Sequence, residues 1–194
     1  MRIIIKPLGL AILGLAAVAG IALPRFLQPQ SQATTTSTTT SAVPSASGNL
    51  LDPGGWQAYG AEGGEQVSSP LESLPPGVTG AAGIRIETKK FTNQPWSVGY
   101  TQSMIAAFKD KEPVTLSFWA RAHEPQHVRI AMQFPTHGYH ECWFKEEQLT
   151  TEWKQYTYKF TTEAFQPKEG SMAFQTGFRA GWVELAAITL TRGN

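Results

Sequence analysis

The chain has 194 residues, of which 41% are hydrophobic and 16% charged, with a net charge of +1 and one cysteine. That length holds one ordinary domain with appendages and excludes two full-sized catalytic domains. A single cysteine excludes an intrachain disulfide framework and a zinc site built on several thiolates. The only aspartates are Asp52 and Asp110, which thins the supply of carboxylate constellations. Arg2, Lys6 and Arg25 stand in the first 48 residues without an acid, leaving 13 basic against 15 acidic residues in the remainder. A protein that tracks phosphates needs a basic face, so no nucleic-acid partner is expected.

Residues 1–30 read as an export signal. Arg2 and Lys6 precede an apolar run from Leu8 to Leu23, shorter than the roughly 20 residues a helix needs to span a bilayer. Ala17-Val18-Ala19 offers a small-residue cleavage pattern. A cleaved signal peptide and a retained membrane anchor, extended by Ile3 to Ile5, both stay open. Either one places the protein outside the cytoplasm, secreted or tethered. Residues 31–48 form a Ser/Thr tract without an aromatic or a charge. Such a segment cannot bury enough apolar surface to offset its ordering entropy and is expected to be a flexible linker, spanning roughly 25 Å as a random coil.

Residues 49–194 carry a β pattern. Ile84 and Ile86 alternate with Arg85 and Glu87, and Val114, Leu116 and Phe118 with Thr115, Ser117 and Trp119. Val128, Ile130, Met132 and Phe134 alternate with Arg129, Ala131 and Gln133; Tyr156, Tyr158 and Phe160 follow, then Met172 and Phe174. Period-2 runs separated by turn chemistry, such as Pro167-Lys168-Glu169-Gly170, indicate half-buried antiparallel strands. In the last run Val183 and Leu185 share one parity and Ile188 and Leu190 the other, so a bulge at Ala186-Ala187 is expected. About seven to nine strands in this length point to an all-β, two-sheet antiparallel sandwich.

The residues opposite the core suggest a ligand surface. If the strands neighbour one another, Trp119, Arg121, Arg129, Gln133 and Gln175 form one patch of an indole, two guanidiniums and two amides. An indole stacks on the apolar C–H face of a sugar, while Gln and Arg supply the donors and acceptors its hydroxyl edge needs. The stretch from His137 to Phe144 reads as a loop that offers Tyr139 and Trp143 as cleft walls. Trp153, Tyr156 and Phe160 read as core. Trp56 and Trp96 stand in turn-rich segments and fit either role.

Other classes are less well supplied. Glycoside hydrolysis needs two carboxylates about 5 to 9.5 Å apart across a cleft, and Glu141, Glu146, Glu147 and Glu152 fall in stretches that read as loop. No Gly-x-Ser-x-Gly turn is present. His137 and His140 make a conceivable zinc pair near Cys142, but the sequence announces no further ligands to complete a site. An envelope-attached structural or protein-interaction sandwich is the main alternative, because aromatics and Arg serve protein interfaces as readily as glycans.

Several runs carry a resemblance. Glu112-Pro-Val-Thr-Leu-Ser-Phe-Trp-Ala-Arg121, Glu152-Trp-Lys-Gln-Tyr-Thr-Tyr-Lys-Phe160, Phe174-Gln175-Thr176-Gly177 and Val183 to Leu190 follow one another as in carbohydrate-binding modules of families four, nine and twenty-two. Asn49 to Trp56 is similar to the first strand of those modules. The resemblance covers most of 49–194 and implies a galactose-binding-like jelly roll that is non-catalytic. It further implies a glycan held in a concave cleft, with Gln175 at the position of a glutamine that often faces it. A structural calcium is common in that family, but Ala186-Ala187 stands where many members carry an acidic pair, so no cofactor is expected. The expected partner is a polysaccharide or oligosaccharide, bound by a monomeric domain, with the membrane as a second partner if the N-terminal segment is retained.

Overall fold

The protein is described here by a computed structural model covering residues 48–193 except Pro53. The expected signal or anchor (1–30) and the Ser/Thr linker, apart from its last residue, lie outside the described residues. Ten strands are formed: β1 (Gln57–Gly60), β2 (Glu65–Pro70), β3 (Gly83–Lys90), β4 (Val98–Ser103), β5 (Pro113–Ala122), β6 (Gln126–Phe134), β7 (His140–Leu149), β8 (Lys154–Thr161), β9 (Ser171–Gln175) and β10 (Gly181–Arg192). They pair antiparallel in two five-stranded sheets. The front sheet has the order β1-β4-β9-β6-β7 and the back sheet β2-β3-β10-β5-β8. This is the all-β sandwich expected from the period-2 runs.

The core forms where the apolar parity of each run meets its counterpart. In β5, Val114, Leu116, Phe118, Ala120 and Ala122 are all buried while their neighbours are partly exposed. Phe118 stacks on Tyr156 at 5.3 Å and meets the edge of Phe174 at 4.9 Å, linking the two sheets. Trp56 belongs to this interior, stacked on Tyr100 at 4.9 Å. Aromatic contacts of this geometry add about 0.5–1.5 kcal/mol beyond the area they bury. A second aromatic group joins Phe134, Phe165 and Phe108.

The expected bulge is present. The β10–β5 register slips between Ala186 and Thr189. Ala187 adopts a left-handed φ of 51° and donates its N–H to Ala82 O. The extra residue lets Val183 and Leu185 on one side, and Leu190 on the other, all face the interior.

Two expectations are corrected. Ten strands replace the expected seven to nine, in part because β7 occupies most of a stretch that reads as loop. As an edge strand of the front sheet, β7 can leave Lys145 and Glu146 solvated, which erases the alternation that marks an interior strand. The second correction concerns pairing. β5 and β6 are joined by only His123-Glu124-Pro125, yet they lie in different sheets. His123 donates its N–H to Trp182 O and Ala122 to Thr150 O, so the connection crosses between layers instead of closing a hairpin.

Candidate functional site

A groove of about 1130 Å³ runs over the outer face of the front sheet. The strand register sets its floor in three rows. One row holds Tyr59, Gly99, Gln175, Arg129 and Glu146, each opposite the next across neighbouring strands. The middle row holds Gln57, Thr101, Ala173, Ala131 and Phe144. The third holds Ser103, Ser171, Gln133 and Glu141. Same-face rows lie about 6.8 Å apart. Two small side chains, Ala131 and Ala173, both fully buried, therefore stand between two polar rails.

Hydrogen-bonding capacity is concentrated on those rails. Gln175 Oε1 and Ser171 Oγ are buried and have no partner among the described residues. The Gln133 and Gln175 side chains both line the groove and are largely covered. Leaving a buried acceptor unmatched costs about 1–3 kcal/mol, so both groups keep unmet hydrogen-bonding capacity beside the groove.

The groove has aromatic walls. The tip of Tyr59 packs against Gly99: a Cβ at position 99 would stand 2.7 Å from Tyr59 Oη and 2.8 Å from its Cζ. Burial, and then the nearby Tyr139, push the Tyr59 hydroxyl up to about 12. Gly138 and Tyr139 are both left-handed, with φ of 67° and 61°. That turn lifts Tyr139 onto the rim, where it is 64% exposed. Trp96, on a 3-10 turn before β4, is a second exposed ring on the lining.

Arg129 is held by carboxylates. Its Nε and Nη2 donate to the two Glu141 oxygens at 3.2 and 2.5 Å, and its Nη1 donates to Glu146 at 2.9 Å. Its guanidinium also stacks over Phe144, 3.8 Å from the ring centre. The Glu141 hydrogen bonds, aided by Glu146, hold the guanidinium above its ordinary range.

Arg129, Gln133, Tyr139 and Gln175, named from sequence, thus share the groove. Trp119 and Arg121 do not: both project from the outer face of β5 in the back sheet. Arg121 donates from Nε to Glu184 Oε2 at 2.6 Å and stacks over Trp153 at 4.8 Å. The single patch expected of five residues is therefore split between two layers, because β5 does not pair with β6. Trp143 is likewise not a cleft wall. It faces the other side of β7 and stacks on Phe160 at 4.0 Å, packed against the core. A slip in the β6–β7 register between Met132 and Gln133 puts Trp143 opposite Met132 and Glu141 opposite Gln133.

Sequence reasoning missed Tyr59, Gln57, Thr101, Ser171 and Glu141. Short alternations at Gln57/Tyr59 and Thr101/Ser103 were the available signal, in strands of four and six residues. Among the described residues no three His, Cys, Asp or Glu come together to hold a metal ion. His140 Nε2 instead meets Glu163 at 3.0 Å, and Cys142 Sγ donates to Met132 O at 3.4 Å.

The sequence profile of the carbohydrate binding domain family CBM4/9 matches residues 48–183. The chain belongs to that family. It is a non-catalytic carbohydrate-binding β-sandwich. Solved structures share its fold. The second N-terminal cellulose-binding domain of Cellulomonas fimi β-1,4-glucanase C superposes with a TM-score of 0.58 at 22% identity, covering 79% of this chain and 99% of that one. A family 11 carbohydrate-binding module from Clostridium thermocellum, in complex with a β-1,3-1,4-mixed-linked tetrasaccharide, gives 0.53 at 18%, covering 76% and 97%. The CBM22-1 xylan-binding domain from Paenibacillus barcinonensis gives 0.51 at 12%, covering 75% and 91%. No curated protein sequence matches.

Proposed function

We propose that this CBM4/9 module binds a β-linked glucan chain in the front-sheet groove. The glycan lies across the strands over Ala131 and Ala173, with its hydroxyl edges on the two polar rails. Tyr59, Tyr139 and Trp96 supply faces for the sugar C–H surfaces. Gln175, Gln133 and Ser171 pair with ring hydroxyls, and the two unused N–H groups of Arg129 donate to a further one. The observation that carries this reading is that Gln175, Ser171 and Gln133 line one groove, with Gln175 Oε1 and Ser171 Oγ left without a partner among the described residues. Two of the three structural relatives, a cellulose-binding domain and a module in complex with a mixed-linked glucan, support the choice of β-glucan over the xylan of the third.

An extracytoplasmic setting accords with a carbohydrate-binding module. The positive n-region and apolar run favour export, and the Ser/Thr tract then serves as a spacer between the module and a tether or cleavage site. The module acts as a monomer, because one groove on one sheet is complete without a second chain.

The test is affinity electrophoresis through gels that contain soluble mixed-linkage β-glucan. Migration of the full chain should be retarded, and affinity should weaken about 5- to 150-fold in Gln175→Ala and Tyr139→Ala, following the roughly 1–3 kcal/mol typical of anchor residues. Trp119→Ala, on the opposite sheet, should be retarded like the native chain. Retardation that survives both groove substitutions but fails in Trp119→Ala would move the site to the back sheet.

A further inference from the structure

The charge of the groove points to a restriction on its ligand, and this inference rests on the glycan reading above. Arg129 is the guanidinium of the floor, and its positive charge is already spent. Three of its five N–H groups are bonded to Glu141 and Glu146, and the plane of the group is covered on one side by Phe144. Two carboxylates against one guanidinium leave this cluster with a net negative charge. Asp52 and Glu62 also line the groove, and Lys168 is the one further cation in the lining. Glu141 is 22% exposed and Arg129 18%, so the cluster sits where solvent screening is reduced.

We propose that the groove rejects anionic glycans and that Glu141 is the main determinant of this rejection. Arg129 is a positioning residue in this scheme. It fixes both carboxylates at the floor and flattens against Phe144, and it does not serve as a receptor for a sugar carboxylate. An uncharged hexose offers its hydroxyls to Glu141 as donors. A uronate in the same place brings a third carboxylate beside Glu141 and Glu146, where the guanidinium of Arg129 is already shared between the two present and Lys168 is the one other cation of the lining. Like-charge juxtaposition of this kind works against a partner through both encounter rate and affinity, and it weakens with salt.

The experiment compares two polymers with one backbone: mixed-linkage β-glucan, and the same glucan oxidised at C6 so that a fraction of its units are glucuronate. Binding of each is measured by isothermal titration at low and at high ionic strength, for the native chain and for Glu141→Gln. Gln keeps the shape and an acceptor, and circular dichroism checks that the variant folds. The native chain should bind the oxidised polymer at least about fivefold more weakly at low salt, as expected for one added like-charge pair in a partly screened site. The deficit should shrink with salt, and Glu141→Gln should shrink it at low salt. Equal or tighter binding of the oxidised polymer overturns the proposal and leaves the glycan reading standing. A deficit that ignores both salt and Glu141→Gln overturns it as well, since steric exclusion would then be the cause. Failure of the unmodified glucan to bind overturns the glycan reading and this inference together.

Discussion

A methyl group added at position 99 would lie 2.7 Å from both Phe174 O and Tyr59 Oη. Gly99 is therefore the space into which the Tyr59 ring folds, and its φ is ordinary; what matters is the missing side chain. Gly99→Ala should lift Tyr59 from the floor and cost about 1–3 kcal/mol of stability, the usual penalty of overpacking. Because burial is the first cause that raises the Tyr59 hydroxyl to about 12, the displaced phenol should ionise at lower pH. Phenolate absorbance in an alkaline titration, with Tyr59→Phe to assign the signal, reads this directly. A Tyr59 ionisation unchanged in Gly99→Ala would show that the ring does not depend on the glycine. A sequence shows a glycine between Val98 and Tyr100 without showing what crosses over it, so this role was not legible. Gln175 and Gln133 were legible, because their parity opposed that of Phe174 and Met132 in strands with a clear period.

At the level of strands, two register slips decide which side chains reach which face. In β10, the slip at Ala187 was foretold by the change of parity between Leu185 and Ile188. Its cost is a left-handed alanine, a conformation that disfavours an L-residue by roughly 1–2 kcal/mol. Ala187→Gly should relieve most of that strain and raise stability by up to about 1 kcal/mol after the added chain entropy of glycine. Urea unfolding measures the change, and a loss of stability would mean that the Ala187 methyl contributes packing that outweighs the strain. In β7, the slip near Gln133 had no such signature, since Glu141, Cys142 and Trp143 have no periodicity to interrupt. That hidden slip is why Trp143 looked like a cleft wall and Glu141 did not.

On the scale of the sandwich, the alternating runs revealed the architecture but not the partnership of strands. Parity tells which face of a strand is apolar. It does not tell which sheet the strand joins, because both sheets present the same apolar side to one shared core. Trp119 and Gln175 obey the same rule and end on opposite outer surfaces. The closure of the sandwich near the end of β10 also carries a pH dependence. Glu112 accepts the Lys109 N–H at 2.8 Å and Arg192 Nε at 2.5 Å. The Lys109 backbone N–H, followed by Arg192, holds its carboxyl below the ordinary value. A lowered carboxyl lends stability that is present above its unfolded value and lost as pH falls through the folded one. Glu112→Gln should therefore be less stable than the native chain near neutrality, with the difference vanishing in acid. Urea midpoints across the acid range test this, and a constant difference at every pH would exclude an ionic origin.

At the first described residues, Asn49 Oδ1 accepts the N–H of Leu190, and Leu50 donates its own N–H to Leu190 O. The polypeptide thus enters by fastening onto β10, a central strand of the back sheet. The same clasp ties the first described turn to the last strand. Tension applied at Asn49 would load this stitch before it reached β1, the first strand of the front sheet.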